Sequence, residues 1–306
     1  MANTQDRREI GDELRLGPVR VLFGRGGGKY PHGNTLLVEG SRQTVVIDPS
    51  LALYELPAPP RADRVLLSHC HEDHLAGAAL YPDLPLALHA ADAGGMRSLD
   101  GLMAIYGFDG PIADAFGQEL VRTFHYRARP DAESLQGDDV LDLGGVTLRV
   151  LHMPGHTRGH CCFRIEWPGG AVVYLGDVDL SSFGPYYGDA WSDLVDFERS
   201  LARLRAEDAG WYSTFHHIGV LEGRAAFVDR LDRFRARIVE REQRLLEFLA
   251  EPHSLAEIVA HRFVYRPGDA VAWADVAERR SMSLHLERLL AAGGVVETEA
   301  GRWRCA

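Results

Sequence analysis

The sequence predicts an α/β protein in two parts, a large domain over residues 1–250 and a small module over residues 251–306. Three observations lead to this prediction. The chain has 306 residues, and a typical domain has about 100–200. Hydrophobic residues make up 46% and charged residues 25% of the chain, a composition that builds a large core and excludes general disorder. Short apolar runs fill the first part, and Pro252 ends a long helical pattern just before the second.

Apolar runs of four to six residues, rich in Val, Leu and Ile, are typical of strands buried inside a larger sheet. The predicted strands are 19–23, 34–38, 44–47, 64–67, 86–90, 146–151, 161–165, 172–175 and 211–215. Breaks rich in Gly or Pro separate them, as in 24–34, 57–60 and 168–170.

Helical periodicity follows these strands. Apolar residues recur at helical spacing over 193–206 and again over about 224–250, which predicts two amphipathic helices. Residues 91–138 mix Gly, Ala and Met and predict a helical insertion. The second part predicts helices over 254–260 and 282–292, followed by a hairpin over 295–304 that turns at Ala300-Gly301. Helices followed by a β-hairpin in so short a segment suggest a winged-helix module.

Charge and composition exclude several classes of function. The chain has 44 acidic and 33 basic residues, so its formal charge is −11 and it repels nucleic-acid phosphates on average. The C-terminal module follows the same balance, with seven basic and eight acidic residues over 251–306. We therefore expect no nucleic-acid partner.

The sequence also predicts a cytoplasmic protein without a membrane partner. No window approaches the roughly 18 apolar residues that a membrane helix requires. Residues 1–18 are polar and lack the apolar region of a secretory signal. Cys70, Cys161, Cys162 and Cys305 form no disulfide or metal-binding pattern, which is typical of a reduced compartment.

The strongest chemical signal directly follows the predicted strand 64–67. His69, His71, Asp73 and His74 lie within six residues there, and a bound cation would compensate for crowding so many polar groups, because imidazole and carboxylate are both Zn²⁺ ligands. In extended backbone His69 and His71 share a face and can bind one ion. Asp73 and His74 lie one turn further and can point at a second ion.

Three later strands end in the same way. The strand 146–151 leads to His156, the strand 172–175 leads to Asp177, and the strand 211–215 leads to His216 and His217. Strand alternation places these last two histidines on opposite faces. The final candidate ligand is therefore His216 or His217, and we favour His216.

The pattern HxHxDH, then His, then Asp, then His resembles the metallo-β-lactamase superfamily over about residues 17–250. The resemblance implies an αββα sandwich with the site at one edge of its two sheets. It implies that His69, His71 and His156 bind a first ion, and that Asp73, His74 and His216 or His217 bind a second ion, with Asp177 as the bridge. Two divalent ions are implied, with Zn²⁺ expected and iron or manganese as alternatives.

The same resemblance implies a reaction. A hydroxide between two such ions is a nucleophile at neutral pH, and Asp73 is placed to orient it or accept its proton. His71 occupies the position of a flavodiiron glutamate, which argues against oxygen reduction. Several β-lactamases of the family lack the acidic bridge and are exported, so Asp177 and the absent signal argue against antibiotic hydrolysis. Asp177 is similar to the bridging residue of the hydroxyacylglutathione hydrolase, lactonase and phosphodiesterase branches.

The expected function is thus a binuclear metal-dependent hydrolase that cleaves a small ester-like substrate, a thioester or a lactone. The alternatives are a nuclease or phosphodiesterase of the same fold, or an iron-dependent sulfur dioxygenase. A regulatory protein with little turnover is a third class, and the complete set of candidate ligands argues against it.

Further expectations concern the surroundings of the site. Tyr186 or Tyr187 could stabilise a developing oxyanion, with aromatic packing as the alternative. Residues 24–30 predict a mobile loop above the metal site, with a plain turn as the alternative. The C-terminal module resembles the winged-helix appendage of relatives of β-lactamase-like protein 2. Its helix 282–292 carries four leucines, so we expect this module to pack on the large domain or on a second subunit as a homodimer.

Overall fold

The computed structural model describes residues 8–269, 271–299 and 301–306. The expectations for residues 1–7 and for the turn residue Ala300 lie outside the described residues. The strands are β1 (Glu13–Leu16), β2 (Val19–Leu22), β3 (Thr35–Glu39), β4 (Thr44–Ile47), β5 (Arg64–Leu66), β6 (Leu86–His89), β7 (Glu133–Leu135), β8 (Val140–Asp142), β9 (Thr147–His152), β10 (Cys161–Trp167), β11 (Gly170–Tyr174), β12 (Trp211–Ser213), β13 (Val220–Glu222), β14 (His253–Ser254), β15 (Val295–Glu299) and β16 (Arg302–Cys305). The helices are α1 (Arg25–Gly28), α2 (Glu72–Leu75), α3 (Ala93–Arg97), α4 (Leu99–Tyr106), α5 (Gly110–Arg122), α6 (Leu194–Leu204), α7 (Arg224–Phe248), α8 (Leu255–His261) and α9 (Ala274–Ala291).

Two mixed sheets form the large part of the molecule. The first has seven strands in the order β1-β2-β3-β4-β5-β6-β7, antiparallel from β1 to β4 and parallel from β4 to β7. The second has six strands in the order β13-β12-β11-β10-β9-β8, in which only β11 and β12 pair in parallel. Both contain the predicted strands, together with short strands that the sequence patterns did not predict.

Strand alternation divides the core into three layers. Val45 and Ile47 of β4 point into the cluster between the two sheets, where they meet residues such as Phe163 and Tyr174 of the second sheet. Val46, between them, points into the cluster on the outer face of the first sheet. Because a strand has a side-chain period of two, the same strand supplies both layers.

Helices cover both outer faces. Leu102 of α4 and Leu120 of α5 pack on the first sheet, and Phe197 of α6 and Phe227 of α7 pack on the second. The layers therefore run helices, sheet, sheet, helices. The predicted helical insertion over 91–138 contains α3, α4 and α5 on the first sheet, but its last part includes β7, which extends that sheet.

The C-terminal segment packs on the large part. Strands β14, β16 and β15 form a third sheet in that order, and its core includes Leu245 from the last turns of α7. Helix α9 begins eight residues before the predicted start at 282. Its first turns bury Ala277 and Ser281, and such small residues form no apolar pattern that the sequence analysis could detect. Leu284 of α9 belongs to the cluster on the outer face of the second sheet.

The candidate ligands all follow strand ends at one edge of the two sheets. The segment 69–74 follows β5 of the first sheet. His156, Asp177 and His216 follow β9, β11 and β12 of the second sheet. This common edge is the reason that residues distant in the sequence meet.

A glycine next to His156 is required by close packing. Gly155 has a φ of +124°, and a Cβ placed there would lie 2.2 Å from the backbone N of Phe197 and 2.3 Å from its Cα. Backbone atoms of a packed helix cannot move aside as a flexible side chain can, so the loop before His156 depends on glycine.

We expect Gly155→Ala to lower the free energy of unfolding by about 3 kcal/mol, from overpacking plus an unfavourable φ. The matched control is Gly145→Ala, because Gly145 has a φ of +74° and nothing within 4 Å of its Cβ position. It should lose about 1 kcal/mol through φ alone. Urea unfolding of both variants measures the difference, and equal losses would contradict the packing argument.

Candidate metal centre

The structure brings seven of the sequence-predicted side chains together in two groups. The first group is His69, His71, His156 and Asp177, and the second is Asp73, His74 and His216. Within each group all donor atoms lie within 4.8 Å of one another. Asp177 is half-buried and the other six residues are buried.

In the first group, three imidazole nitrogens face one point. His156 Nε2 lies 3.2 Å from His69 Nε2 and 3.1 Å from His71 Nδ1. Asp177 Oδ2 lies 3.2 Å from the same His156 nitrogen. Neutral imidazoles that turn their lone pairs toward each other repel, whereas a cation between them is bound by all three. The donor set therefore fits a divalent metal ion.

The second group is joined to the first by one carboxylate. His216 Nε2 lies 2.9 Å from Asp73 Oδ2, and His74 Nε2 lies 2.7 Å from Asp177 Oδ1. Asp177 thus turns Oδ2 toward the first group and Oδ1 toward the second. This is the arrangement by which a single aspartate can touch two ions.

Each imidazole also has a partner for its other nitrogen. Such outer partners hold the ring orientation of metal-binding histidines. The pairs are His69 Nδ1 with Ser68 Oγ at 3.0 Å, His71 Nε2 with Asp189 Oδ2 at 3.1 Å, His74 Nδ1 with Asp48 Oδ2 at 2.8 Å, His156 Nδ1 with the Tyr186 carbonyl at 2.9 Å and His216 Nδ1 with the Gly28 carbonyl at 2.8 Å. Because a carbonyl only accepts, His156 and His216 donate from Nδ1, which leaves the Nε2 lone pair directed at the cluster.

The sequence interpretation missed Asp48, although a signal for it existed. Its buried carboxylate accepts hydrogen bonds from the Ser68 backbone N–H, the Ser68 hydroxyl and the Tyr174 hydroxyl, and contacts His74 Nδ1. Asp48 directly follows β4, as the candidate ligands follow their strands. The pattern of a polar residue at a strand end would therefore have indicated it.

Asp189 was also missed, and no pattern in the sequence indicates it. The residue lies in the loop between β11 and α6, where it is buried. Its Oδ1 accepts a hydrogen bond from the Tyr186 hydroxyl at 3.0 Å, and its Oδ2 lies 3.1 Å from His71 Nε2. Its backbone carbonyl accepts a hydrogen bond from Arg280 of α9.

Two of the predicted residues lie elsewhere. The side chain of His217 is 41% exposed, and its Nε2 faces Asp179 at 3.9 Å. Strand β12 ends at Ser213 and His217 has a φ of +56°, so strand alternation does not extend to this histidine. Tyr187 is buried, and its hydroxyl contacts His285 Nε2 at 3.0 Å, away from the two groups.

A pocket of about 270 Å³ opens over the two groups. Histidines and carboxylates form one part of its walls, and aromatic side chains from four separate segments form another, namely Tyr30, Tyr106, Phe108, Phe116, Phe183, Tyr186, Tyr265 and Trp273. Tyr30 belongs to the predicted loop above the site, and its hydroxyl donates to Glu72 Oε1 at 2.9 Å. Tyr265 and Trp273 come from the C-terminal segment, which therefore contributes to the rim of the pocket.

The charges inside the cluster compensate one another. Burial raises the pKa of Asp177, but His74 and His156 outweigh burial and hold that pKa well below its usual range. Burial lowers the pKa of His71, but Asp189, Glu72 and Asp177 outweigh burial and raise it to about 9. Burial, together with His74 and His71, holds the pKa of His69 well below its usual value. His69 is thus a neutral ring with a free lone pair for a cation.

The chain belongs to the metallo-beta-lactamase superfamily, since the family model described as Metallo-beta-lactamase superfamily matches residues 30–217. The chain is 32% identical over 191 residues to the protein named Acyl-coenzyme A thioesterase MBLAC2 of Gallus gallus, and 32% identical over 201 residues to that of Homo sapiens. Each match covers 56% of this chain and 66% of the relative, so the chain covers slightly less than two thirds of these relatives. It is also 28% identical over 215 residues to the Atrochrysone carboxyl ACP thioesterase of Passalora fulva, a match that covers 64% of this chain and 52% of that protein.

Solved structures show the same fold over nearly the whole chain. A beta-lactamase domain protein from Burkholderia ambifaria superposes with a TM-score of 0.71 at 21% identity, covering 99% of this chain and 96% of that one. A metallo-beta-lactamase family protein from Thermus thermophilus superposes with a TM-score of 0.69 at 24% identity, covering 95% of this chain and 99% of that one. Among the described residues, no helix combines the length and the apolar character needed to cross a membrane.

The effect of Asp189 on the pKa of His71 can be measured in protein from which a chelator has removed any metal. We expect His71 to titrate near pH 9 by NMR, and Asp189→Asn to lower that pKa because a charged partner is lost. A histidine with a raised folded pKa stabilises the fold fully below its unfolded pKa of about 6.5, and this contribution disappears as the pH rises through about 9. A His71 pKa that Asp189→Asn leaves unchanged would contradict this account.

Proposed function

We propose that this chain is a metal-dependent hydrolase of thioesters that binds two divalent ions. The observation that carries the proposal is the position of Asp177, which turns one carboxylate oxygen to each of two groups of buried donors. Seven donors are too many for one tetrahedral site, and a shared carboxylate suits a pair of ions.

In this proposal His69, His71 and His156 bind one ion, Asp73, His74 and His216 bind the other, and Asp177 bridges them. Zinc is the expected metal because nitrogen and oxygen donors dominate, with iron and manganese as alternatives. When bound, two such ions supply a water that ionises near neutral pH and polarise the carbonyl that it attacks. His217 has no part in metal binding in this proposal.

The protein's own groups then hold the water and the substrate. Burial raises the pKa of Asp73, but His74 and His216 outweigh burial and hold that pKa below its usual range. Asp73 is therefore ionised at neutral pH and can orient the water by accepting a hydrogen bond from it. The Tyr186 hydroxyl already donates to Asp189, so we assign Tyr186 to holding Asp189 rather than to an oxyanion. Tyr187 has no catalytic part.

Two features support a thioester as the scissile bond. The relatives described above carry the names of thioesterases for coenzyme A and for an acyl carrier protein. Aromatic side chains form one part of the pocket wall, and such a surface favours an apolar acyl group over a charged one. The described lining of the pocket includes no arginine or lysine, the side chains that commonly bind a phosphodiester.

We further propose that the C-terminal segment is a winged-helix-like module that supports the site. Leu284, Leu286 and Leu289 of α9 are buried, so this helix uses its apolar side for packing. Arg280 donates to the carbonyls of Asp189 and Ser192 in the loop beside the metal groups. A module used in this way needs no nucleic-acid partner.

The test of function is a substrate panel with the metal-loaded protein. We expect hydrolysis of acyl-coenzyme A thioesters and little turnover of phosphodiesters or β-lactams. Asp177→Ala should lower kcat/KM by more than about 100-fold, since even an outer partner of a metal ligand is worth about 10- to 100-fold. Asp114→Ala, an exposed aspartate of α5, is the matched control and should retain activity. No turnover of any thioester at full metal occupancy would overturn the proposal.

Metal analysis tests the ligand assignment separately from turnover. We expect close to two ions per chain, and His216→Ala should retain about one because it removes a donor of the second ion only. His217→Ala is the neighbouring control and should keep both ions. Elemental analysis after gel filtration measures the number of ions per chain in each variant. If His217→Ala loses an ion and His216→Ala does not, His217 is the ligand of the second ion.

A further inference from the structure

A second cavity adjoins the metal pocket, and its lining is unusually basic for this chain. It has a volume of about 500 Å³ and is lined by Ser182, Phe183, Arg237, Glu240, Arg241, Arg244, Phe263, Val264, Arg266 and Asp269. We refer to this cavity as the arginine groove. Four arginines face two carboxylates there, so the groove carries positive charge on a chain whose formal charge is −11.

Phe183 connects the arginine groove to the metal pocket, because its side chain lines both cavities. The ring is 38% exposed and lies 5.7 Å from the ring of Tyr265 in the metal pocket. Arg241 holds this corner by donating to the carbonyls of Phe183 and Pro185. A single extended ligand can therefore lie over Phe183 with one end in each cavity.

Two of the four arginines are held by backbone carbonyls, and the other two are not. Arg241 donates to the two carbonyls just described, and Arg244 donates to the carbonyls of Arg262 and Phe263 at 3.0 Å each. The guanidinium groups of Arg241 and Arg244 therefore already donate to the backbone, and they contribute mainly positive charge to the groove. Arg237 forms an exposed ion pair with Glu240. Within the described residues, the Arg266 guanidinium makes no hydrogen bond or ion pair, so it is free to bind an anion.

We propose that the arginine groove binds the phosphate groups of a coenzyme A thioester, an inference that rests on the proposed function. Coenzyme A carries its acyl group on a sulfur at one end and a 3′-phosphorylated adenosine diphosphate at the other, joined by a flexible arm. Guanidinium groups bind phosphate oxygens in pairs, and exposed Phe183 offers a ring for the base to stack on.

The two cavities differ in their cationic side chains, and this difference orients such a substrate. The described lining of the metal pocket includes no arginine or lysine. The arginine groove has four arginines, which attract phosphate. The apolar acyl end therefore enters the aromatic pocket, and the phosphorylated end remains outside, over Phe183.

Two substrates with the same acyl group test this inference. One is the acyl-coenzyme A, and the other is the N-acetylcysteamine thioester, which has the same scissile bond and no phosphate. In Arg237→Ala/Arg266→Ala we expect the KM for acyl-coenzyme A to rise about 10-fold, so the preference for it over the short thioester falls by the same factor. Arg233→Ala, an exposed arginine of α7 outside the groove, is the matched control and should keep the preference.

Direct binding separates this inference from the proposed function. Calorimetry with adenosine 3′,5′-bisphosphate, which has no thioester, should show binding to the intact protein and to Arg233→Ala, with at least about 10-fold weaker binding to Arg237→Ala/Arg266→Ala. If no thioester is hydrolysed but this pattern holds, the proposed function fails and the groove assignment stands. Hydrolysis of both thioesters with a preference that the double variant does not change would overturn the groove assignment. A substrate carried only on an acyl carrier protein, with no bisphosphate binding, would overturn it as well.

Discussion

The rest of the site depends on one buried contact, in which His156 Nε2 lies 3.2 Å from His69 Nε2 and 3.1 Å from His71 Nδ1. Rings packed this closely keep their orientation because groups behind them hold the other nitrogen of each ring, and a cation in front would be bound by all three. The holding groups come from separate parts of the chain, namely Ser68 after β5, and the Tyr186 carbonyl and Asp189 in the loop between β11 and α6. A rigid sandwich of two sheets brings these parts to one edge, where loops alone would leave the rings free to turn away.

The loop between β11 and α6 connects this edge to the C-terminal segment. It supplies the Tyr186 carbonyl to His156 and the Asp189 carboxylate to His71. The same loop is bound from the other side, by Arg241 of α7 at Pro185 and by Arg280 of α9 at Asp189. The C-terminal segment therefore acts on the metal groups through backbone carbonyls, which explains why packing residues and not a basic face dominate α9.

The sequence predicted the parts of the fold that depend on local periodicity, and missed those that depend on tertiary contacts. Strands such as β4 and β10 contain clear apolar runs and were predicted to within two residues, whereas β7 and β8, with three residues each, carry no periodicity to detect. Six of the seven clustered donors were predicted without ambiguity because each follows such a strand. The choice between His216 and His217 depends on the path of the chain in the turn after Ser213. The contact of Asp189 with His71 joins residues more than a hundred positions apart. No local pattern encodes either.

The charge that a ligand meets in each cavity differs from the formal charge of the whole chain. The formal charge of −11 argues against a polyanionic partner for the whole surface. The arginine groove nevertheless brings four arginines together beside Phe183, whereas the described lining of the adjoining metal pocket includes no arginine or lysine. A ligand with an apolar end and a phosphorylated end can be oriented by that difference before any specific contact forms. Under the proposed groove assignment, the bulk charge disfavours long polyanions, which present phosphate along their whole length, more than it disfavours a small phosphorylated thioester.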